Sequence, residues 1–508
     1  MAQRRYLILG DGAAGTSAAQ HVRRSDPEGL IAIYSDDPHP AYFRAALTNY
    51  LLGELTEQQL WAVPPSFYHE HRIHRVLARV AAVDPARGQV WLASGGAPVA
   101  YDALLVATGS RARPPPFHGG DLRGVMTMRT LQDARDMMDM VRVGGLSRAV
   151  IVGGGPLGLE WVQALKLRGL EVTLLMRETK FLASVLDDVA SDLLLARLRQ
   201  SGVEVGLGEE VHAAMPGGDG RVGAVITKSG HTLPCQVVGM AIGVIPNSDC
   251  LQGSGVALGK NGAVVVDDCL RASMPGVFAA GDVAEHRGRS LQLWEPARAE
   301  GRIAGFNMTG QSLAYQPGSH YFATRLYDLD FASVGSLGSD PLARPFVDFP
   351  RRTGRISYRK VLIKNGRLVG AVMLGEREER VRQRGRAFKK LIDEGIEVEA
   401  IQDKLLDPSF DLGGWLRTKA LLQKPRAMAT GARAVASPAE IRKTQAFRMS
   451  AVPQATKGAP PPAAAAPASL GYLESRGKRS ALASDVVNLG RDPNGHVHVD
   501  DAGASFLH

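Results

Sequence analysis

Tyr6-Leu7-Ile8-Leu9-Gly10-Asp11-Gly12-Ala13-Ala14-Gly15 is the stretch on which the fold turns. Four strand-forming residues run into three glycines spaced Gly10-x-Gly12-x-x-Gly15, and the small residues Thr16-Ser17-Ala18-Ala19 that follow suit a helix. In such a strand-turn-helix unit Gly10 permits the tight turn, Gly12 lets the backbone approach a pyrophosphate, and Gly15 lets the helix pack closely on the strand. The helix N-terminus then faces the phosphate charge. The carboxylate that accepts from the ribose hydroxyls is expected about 20 residues further on. That position is the end of the apolar run Leu30 to Tyr34, where Asp36 is the candidate and Asp37 the alternative.

The design recurs. Val150-Ile151-Val152 leads into Gly153-x-Gly155-x-x-Gly158, so two such turns in one chain suit two dinucleotides. Here the expected acid is missing, because Val172-Thr173-Leu174-Leu175 ends in Met176 with Arg177 next. A guanidinium without a competing carboxylate favours the 2′-phosphate of NADPH. Between the turns, Ala103 to Ala107 reads as a buried strand, and Val237 to Val244 as another, ending in Ile245-Pro246-Asn247. Strands alternating with helices imply parallel sheets. The expected fold is α/β, with two Rossmann-like nucleotide-binding domains, the first at 1–115 and 245–320 and the second at 116–244. From about Tyr321 short alternating strands and the hairpin signal Asn365-Gly366 predict a small α+β cap over 321–415.

Beyond the cap the composition shifts. Residues 416–470 hold nine Lys and Arg, among them Arg417, Lys424 and Lys443, against the single acid Glu440, a balance of +8 within a total of +9. Ending in Pro460-Pro461-Pro462-Ala463-Ala464-Ala465-Ala466-Pro467, this stretch reads as a disordered linker. The basic charge is therefore concentrated in a tether, and a nucleic-acid-binding body is not implied. No run approaches the roughly 18 apolar residues that span a bilayer, and the strand beginning at Tyr6 leaves no room for a signal peptide. The cytoplasm is the expected compartment. Three cysteines, Cys235, Cys250 and Cys269, form no Cys-x-x-Cys pair, and neither these nor His69, His71 and His74 suggest a metal site. Interleaved Arg and Glu over 377–390 read as a solvated helix face.

A third signal, Gly276-Val277-Phe278-Ala279-Ala280-Gly281-Asp282, makes a resemblance specific. In the order of both glycine turns, Ala107-Thr108-Gly109, the Ala241 to Pro246 run and Gly276 to Asp282, residues 4–410 resemble the FAD-dependent pyridine nucleotide oxidoreductases. The similarity is to the branch of ferredoxin reductases, rubredoxin reductases and nitrite-reductase flavoproteins. The resemblance implies FAD on the first turn and NAD(P)H on the second. It implies Asp282 on the ribityl chain beside Gly281, Thr108-Gly109 at the crossing between domains, and Glu160 beside the nicotinamide. It also implies Arg44, in Tyr42-x-Arg44-x-x-Leu47-Thr48, near the flavin. Trp294, in Trp294-x-x-Ala297-x-x-x-Gly301, matches an aromatic residue lining the flavin, with a buried core anchor as the alternative reading. The implied acceptor is an electron-carrier protein or a small oxidant, and a homodimer is left open. Two departures matter. Ala45 stands near the position where some members carry a redox cysteine, which disfavours disulfide chemistry, and Asn49 replaces a lysine usual near the flavin.

Residues 471–508 resemble the start of a forkhead-associated domain, an incomplete β-sandwich, through Gly490-Arg491 and Ser505-x-x-His508. Arg491 and Ser505 would hold the phosphate of a phosphothreonine peptide. Ending at His508, the stretch is shorter than the roughly 100 residues of a β-sandwich of this kind, so an incomplete domain is expected. This leaves a rival function, a phosphothreonine-dependent signalling adaptor whose flavoprotein body serves as redox sensor or scaffold.

Overall fold

The computed structural model describes residues 3–143, 145–183, 185–337, 340–349, 356–422, 472–475 and 478–481. Strand β1 (Arg5–Leu9) is buried at four of its five positions, as a strand covered on both faces by other layers must be. It feeds helix α1 (Ala13–Ser25), and β2 (Leu30–Ser35), α2 (Leu47–Leu52), β3 (Ile73–Leu77) and β4 (Ala103–Val106) follow. The second repeat contributes β5 (Val125–Met126), α3 (Leu131–Val143), β6 (Arg148–Val152), α4 (Pro156–Leu167), β7 (Glu171–Met176), α5 (Asp188–Gln200), β8 (Val203–Leu207) and β9 (Val237–Met240). The chain then returns to the first sheet through β10 (Val277–Ala279) and α6 (Trp294–Met308).

Two parallel five-stranded sheets result, in the orders β10-β4-β1-β2-β3 and β8-β7-β6-β9-β5. The strand that enters each glycine turn is the middle one, so both turns sit where the strand order reverses, the usual ligand crevice of an open α/β sheet. Ser110–Ala112 pairs antiparallel with Val244–Pro246 and links the two sheets. Val237 to Val244, expected as one strand, is broken after Met240. Ala241 O lies 2.2 Å from where a Cβ on Gly153 would stand, and Gly243 takes φ +96°, so the chain turns away to make the second pairing.

The third sheet is antiparallel: β11 (Tyr321–Leu326), β12 (Leu329–Gly335), β13 (Arg344–Asp348), β14 (Ser357–Lys364) and β15 (Arg367–Glu376), ordered β11-β12-β15-β14-β13. Asn365 and Gly366, at φ 50° and 69°, make the tight hairpin that the sequence signals. Helix α7 (Val381–Asp393) covers the sheet, but it is not solvated all round. Arg384 is buried and donates to the carbonyls of Lys404, Leu405 and Phe410. Helix α8 (Leu412–Leu422) continues past residue 416, where the sequence reading begins the linker. The chain divides into two compact units at about residue 413. The unit 414–502 is described in the later turns of α8 and in an antiparallel pair, Tyr472–Ser475 with Lys478–Ala481. Arg491, Ser505 and the strands expected near them lie outside the described residues. Among the described residues no helix is long and apolar enough to cross a membrane.

Candidate active site

Each glycine turn does three physical jobs, one per glycine. A Cβ on Gly10, which has φ +106°, would stand 2.1 Å from Ala107 O, and one on Gly15 would stand 2.0 Å from Gly10 O. Gly12 by contrast faces open space, with nothing within 4 Å. The second turn repeats this: Gly153 against Ala241 O at 2.2 Å, Gly158 against Gly153 O at 2.0 Å, and Gly155 open. The outer glycines hold the turn against strand and helix, and the middle one leaves a bare backbone cradle of the shape a pyrophosphate needs. Both cradles open on one cleft of about 2980 Å³. That is well above the roughly 1000 Å³ upper end of ordinary small-molecule pockets.

Along the first half of the cleft the acids divide their labour. Asp36 is exposed and lines the cleft, whereas Asp37 accepts from Arg44 Nη2 at 3.1 Å, Tyr42 OH at 2.9 Å and His39 N at 3.1 Å. Those donors hold the Asp37 carboxyl below its ordinary range despite burial. Arg44 braces the wall: its Nη1 also donates to Tyr42 OH at 2.7 Å and to Arg129 O at 2.8 Å, and the guanidinium lies 4.6 Å over the Tyr42 ring. Thr108 Oγ1 donates to Asn247 O at 2.6 Å, and Gly109, at φ +66°, accepts from Asn247 N at 2.9 Å, which ties the crossing segments together. Asp282 Oδ2 accepts from Ser110 Oγ at 2.8 Å and Arg129 Nη2 at 2.5 Å.

Glu160 sits on α4 at the cleft wall and accepts from Thr48 Oγ1 of α2 at 2.7 Å. Burial pushes its carboxyl up to about 7. Trp294 opens α6, tilts against Phe43 at 4.9 Å between ring centroids, and lines the cleft with a buried Nε1 that has no hydrogen-bond partner among the described residues. Its helix approaches α1 closely, because a Cβ on Gly301 would stand 2.1 Å from Ala14 O. Arg177 is not brought to the cleft lining. Its guanidinium is exposed and bound to the neighbouring Glu178 at 2.9 Å, while Met176 packs under Gly154. Asn49 donates to Glu54 at 2.6 Å.

Sequence reasoning missed Thr48, Ser110, Arg129 and Glu300. Glu300 is 6% exposed, accepts from Gly281 N at 2.7 Å, and burial pushes its carboxyl up to about 7. Its place directly before Gly301 in the α6 pattern was the available signal. Burial also pushes the Cys235 thiol up to about 12 and that of Cys250 to about 11, so neither is a thiolate near neutral pH. Among the described residues no group of three or more His, Cys, Asp or Glu is placed to hold a metal.

Paired cradles on one cleft, with a buried indole donor left unpaired on its lining, define a dinucleotide-dependent α/β oxidoreductase whose residues fit FAD and a nicotinamide nucleotide. Residues 4–301 match the model of a family described as pyridine nucleotide-disulphide oxidoreductase, and the chain belongs to that family. It is a flavoprotein that binds FAD and NAD(P)H. The biphenyl dioxygenase system ferredoxin–NAD(+) reductase component of Paraburkholderia xenovorans strain LB400 is 35% identical over 310 residues, 60% of this chain and 74% of that protein. The assimilatory nitrate reductase electron transfer subunit of Bacillus subtilis strain 168 is 27% identical over 385 residues, 75% of this chain. The chain spans about half of that subunit, 49% of its length. Among solved structures, the ferredoxin reductase for the CYP199A2 system of Rhodopseudomonas palustris superposes with a TM-score of 0.70 at 26% identity, covering 81% of this chain and all of that one.

Proposed function

We propose that the protein is an FAD-dependent NAD(P)H oxidoreductase that passes electrons from nicotinamide to a protein carrier or a small oxidant, without a redox-active disulfide. The observation that carries this is the pair of open glycine cradles, at Gly12 and Gly155, facing one cleft beside Glu160 and Asp282. When bound, the flavin supplies hydride acceptance and electron release. The protein's residues bind and align. Gly10, Gly12 and Gly15 cradle the FAD pyrophosphate and Asp36 takes the ribose. Asp282, beside Gly281, takes the ribityl chain, while Thr108 and Gly109 hold the domain crossing. Gly153, Gly155 and Gly158 cradle the nicotinamide nucleotide, with Glu160 beside its ring. Trp294 would line the flavin site, and Arg44 positions Asp37 and Arg129. The buried, protonated thiols of Cys235 and Cys250 support electron transfer without cysteine chemistry.

Met176 and Arg177 support NADPH as donor, with Arg177 having to leave Glu178 to meet the 2′-phosphate. A carrier of the ferredoxin type is the acceptor class that the likeness to the Paraburkholderia ferredoxin–NAD(+) reductase component supports. The test is anaerobic addition of NADH and NADPH to the purified flavoprotein. Rapid bleaching by either supports the reductase and reports the donor, whereas a flavin that stays oxidised with both refutes it. A second proposal concerns the tail, where Arg491 and Ser505 are assigned to a phosphothreonine. The antiparallel pairing of Tyr472–Ser475 with Lys478–Ala481 supports a β-rich unit there. Loss of peptide binding on Arg491→Ala, read by fluorescence anisotropy with a phosphothreonine peptide, is the expected result.

A further inference from the structure

Glu160 lines the cleft, and no cation among the described residues pairs with it. Among the described residues its one side-chain partner is the Thr48 hydroxyl, donating at 2.7 Å from α2 across 112 residues of sequence. Charged and titratable groups on the elements packed against α4 are engaged elsewhere. Arg148 of β6 pairs with Glu171 of β7 at 2.8 Å, and Arg325 of β11 pairs with Asp330 at 2.7 Å. Tyr321 of β11 donates to Arg382 O at 3.0 Å, Tyr50 of α2 to Glu57 at 3.3 Å, and Lys166 of α4 itself to Gly202 O at 3.1 Å. Arg168 donates to Leu51 O, and Glu54, just past α2, accepts from Asn49. A carboxyl so placed has its charge opposed by burial and supported by one neutral donor, so a small electrostatic change beside it decides its protonation. The group read to face it is a ring that is uncharged when reduced and cationic when oxidised.

We propose that Thr48 and Glu160 form a charge sensor for the nicotinamide. Glu160 keeps its proton beside the reduced ring and releases it to solvent when the cationic oxidised ring occupies the cleft, and Thr48 donates to the carboxylate so formed. No bond to the cofactor forms or breaks, and up to one proton leaves per oxidised nucleotide bound, the fraction falling as pH rises through the carboxyl's own titration range. The inference rests on Glu160 lining the nicotinamide subsite. Thr48 acts through Glu160 and is a positioning residue. The consequence is functional: oxidised product is held less tightly as pH falls, while the reduced donor is not.

The test uses the FAD-loaded, full-length protein. Affinities of NAD+ and NADP+, and of the non-reducing tetrahydro analogue of each, are measured from about pH 5.5 to about pH 8.5, a range that brackets a carboxyl raised to near neutrality. Any 2′-phosphate titration is common to both members of a pair and cancels in their ratio. Lowering the pH is expected to weaken the oxidised form on the order of tenfold and the analogue by less than about threefold, with proton release on binding the oxidised form alone. Glu160→Gln should flatten the ratio. Thr48→Val should move its midpoint to higher pH, because the carboxylate loses its donor, and Thr48→Ser should restore it. A flat ratio in the unmodified protein overturns the sensor, and a Thr48→Val midpoint that does not move overturns the role of Thr48. Failure of every nucleotide and analogue to bind overturns the nicotinamide subsite itself. The unmodified profile needs no variant, so a misfolded Glu160→Gln leaves the decision intact.

Discussion

A methyl group added at Gly12 and one added at Gly15 are expected to do opposite things. At Gly15 it meets the Gly10 carbonyl at 2.0 Å, and helix α1 must lift from β1; at Gly12 it meets no protein atom within 4 Å. Gly15→Ala should therefore cost about 3 kcal/mol or more in unfolding free energy of the flavin-free protein. Gly12→Ala should leave the unfolding midpoint within about 2 °C yet weaken FAD retention at least about tenfold. Equal stability losses in the two variants would contradict the division of roles. Glu300 makes a second residue-scale prediction. Burial raises its carboxyl from an ordinary value of 4.5 to about 7, so the folded state binds this proton more tightly than the unfolded chain. The associated stability is present below the ordinary carboxylate range and is lost as pH rises through about 7, a change on the order of 2–3 kcal/mol. Glu300→Gln still accepts from Gly281 N, so the variant should match the parent near pH 5 and melt higher near pH 8, by calorimetry of the FAD-loaded forms. Both glycine turns were legible because their logic is local. The Arg129–Asp282 pair, 153 residues apart in sequence, was not, since nothing near either residue announces the other.

At the scale of elements, Asp187 joins a helix to a sheet. Its Oδ1 accepts from Ala190 N at 3.1 Å and caps α5, while Oδ2 accepts from Tyr358 OH at 2.5 Å and Lys360 Nζ at 3.0 Å, both on β14. Asp187→Ser keeps a cap and gives up the bridge; Asp187→Ala loses both and should cost about 1 kcal/mol more than Ser. A double-mutant cycle between Asp187→Ser and Tyr358→Phe should return a coupling energy above about 0.5 kcal/mol, and a value near zero would show that the contact is incidental. Apolar runs and turn residues revealed β1, β2, β4, β6, β7, β9 and β10, whereas the short edge strands β3, β5 and β8 went unread, and the break between Met240 and Val244 depends on Gly153 approaching Ala241 from another strand. The interleaved charges of α7 likewise read as solvated, because no local feature shows that three distant carbonyls will bury Arg384. Elements were legible where their causes lie within one segment, and opaque where a second segment supplies the cause.

Across the whole molecule, charge and chemistry occupy different stretches of chain. Every residue lining the cleft falls between Leu9 and Ile392, whereas the excess of +8 lies in 416–470 and residues 1–415 carry only +2. A chain ended after Leu422 should therefore retain FAD and reduce it anaerobically at a rate within about twofold of the full chain, since no aligning or cradling group is removed. Delivery of electrons to an acidic carrier is a different step, governed at low ionic strength by long-range attraction that fades beyond a Debye length of about 10 Å at 0.1 M salt. If the basic stretch steers such a carrier, the full chain loses carrier-reduction rate steeply as salt rises, and the shortened chain starts slower and responds little. Stopped-flow traces of both chains at low and moderate salt separate the steps. A shortened chain whose flavin is reduced more than about tenfold slower would put part of the catalytic alignment beyond Leu422. Equal salt dependence in the two chains would instead place the attraction on the body of the protein, where the exposed arginines of α6, Arg298 and Arg302, would be the next residues to change.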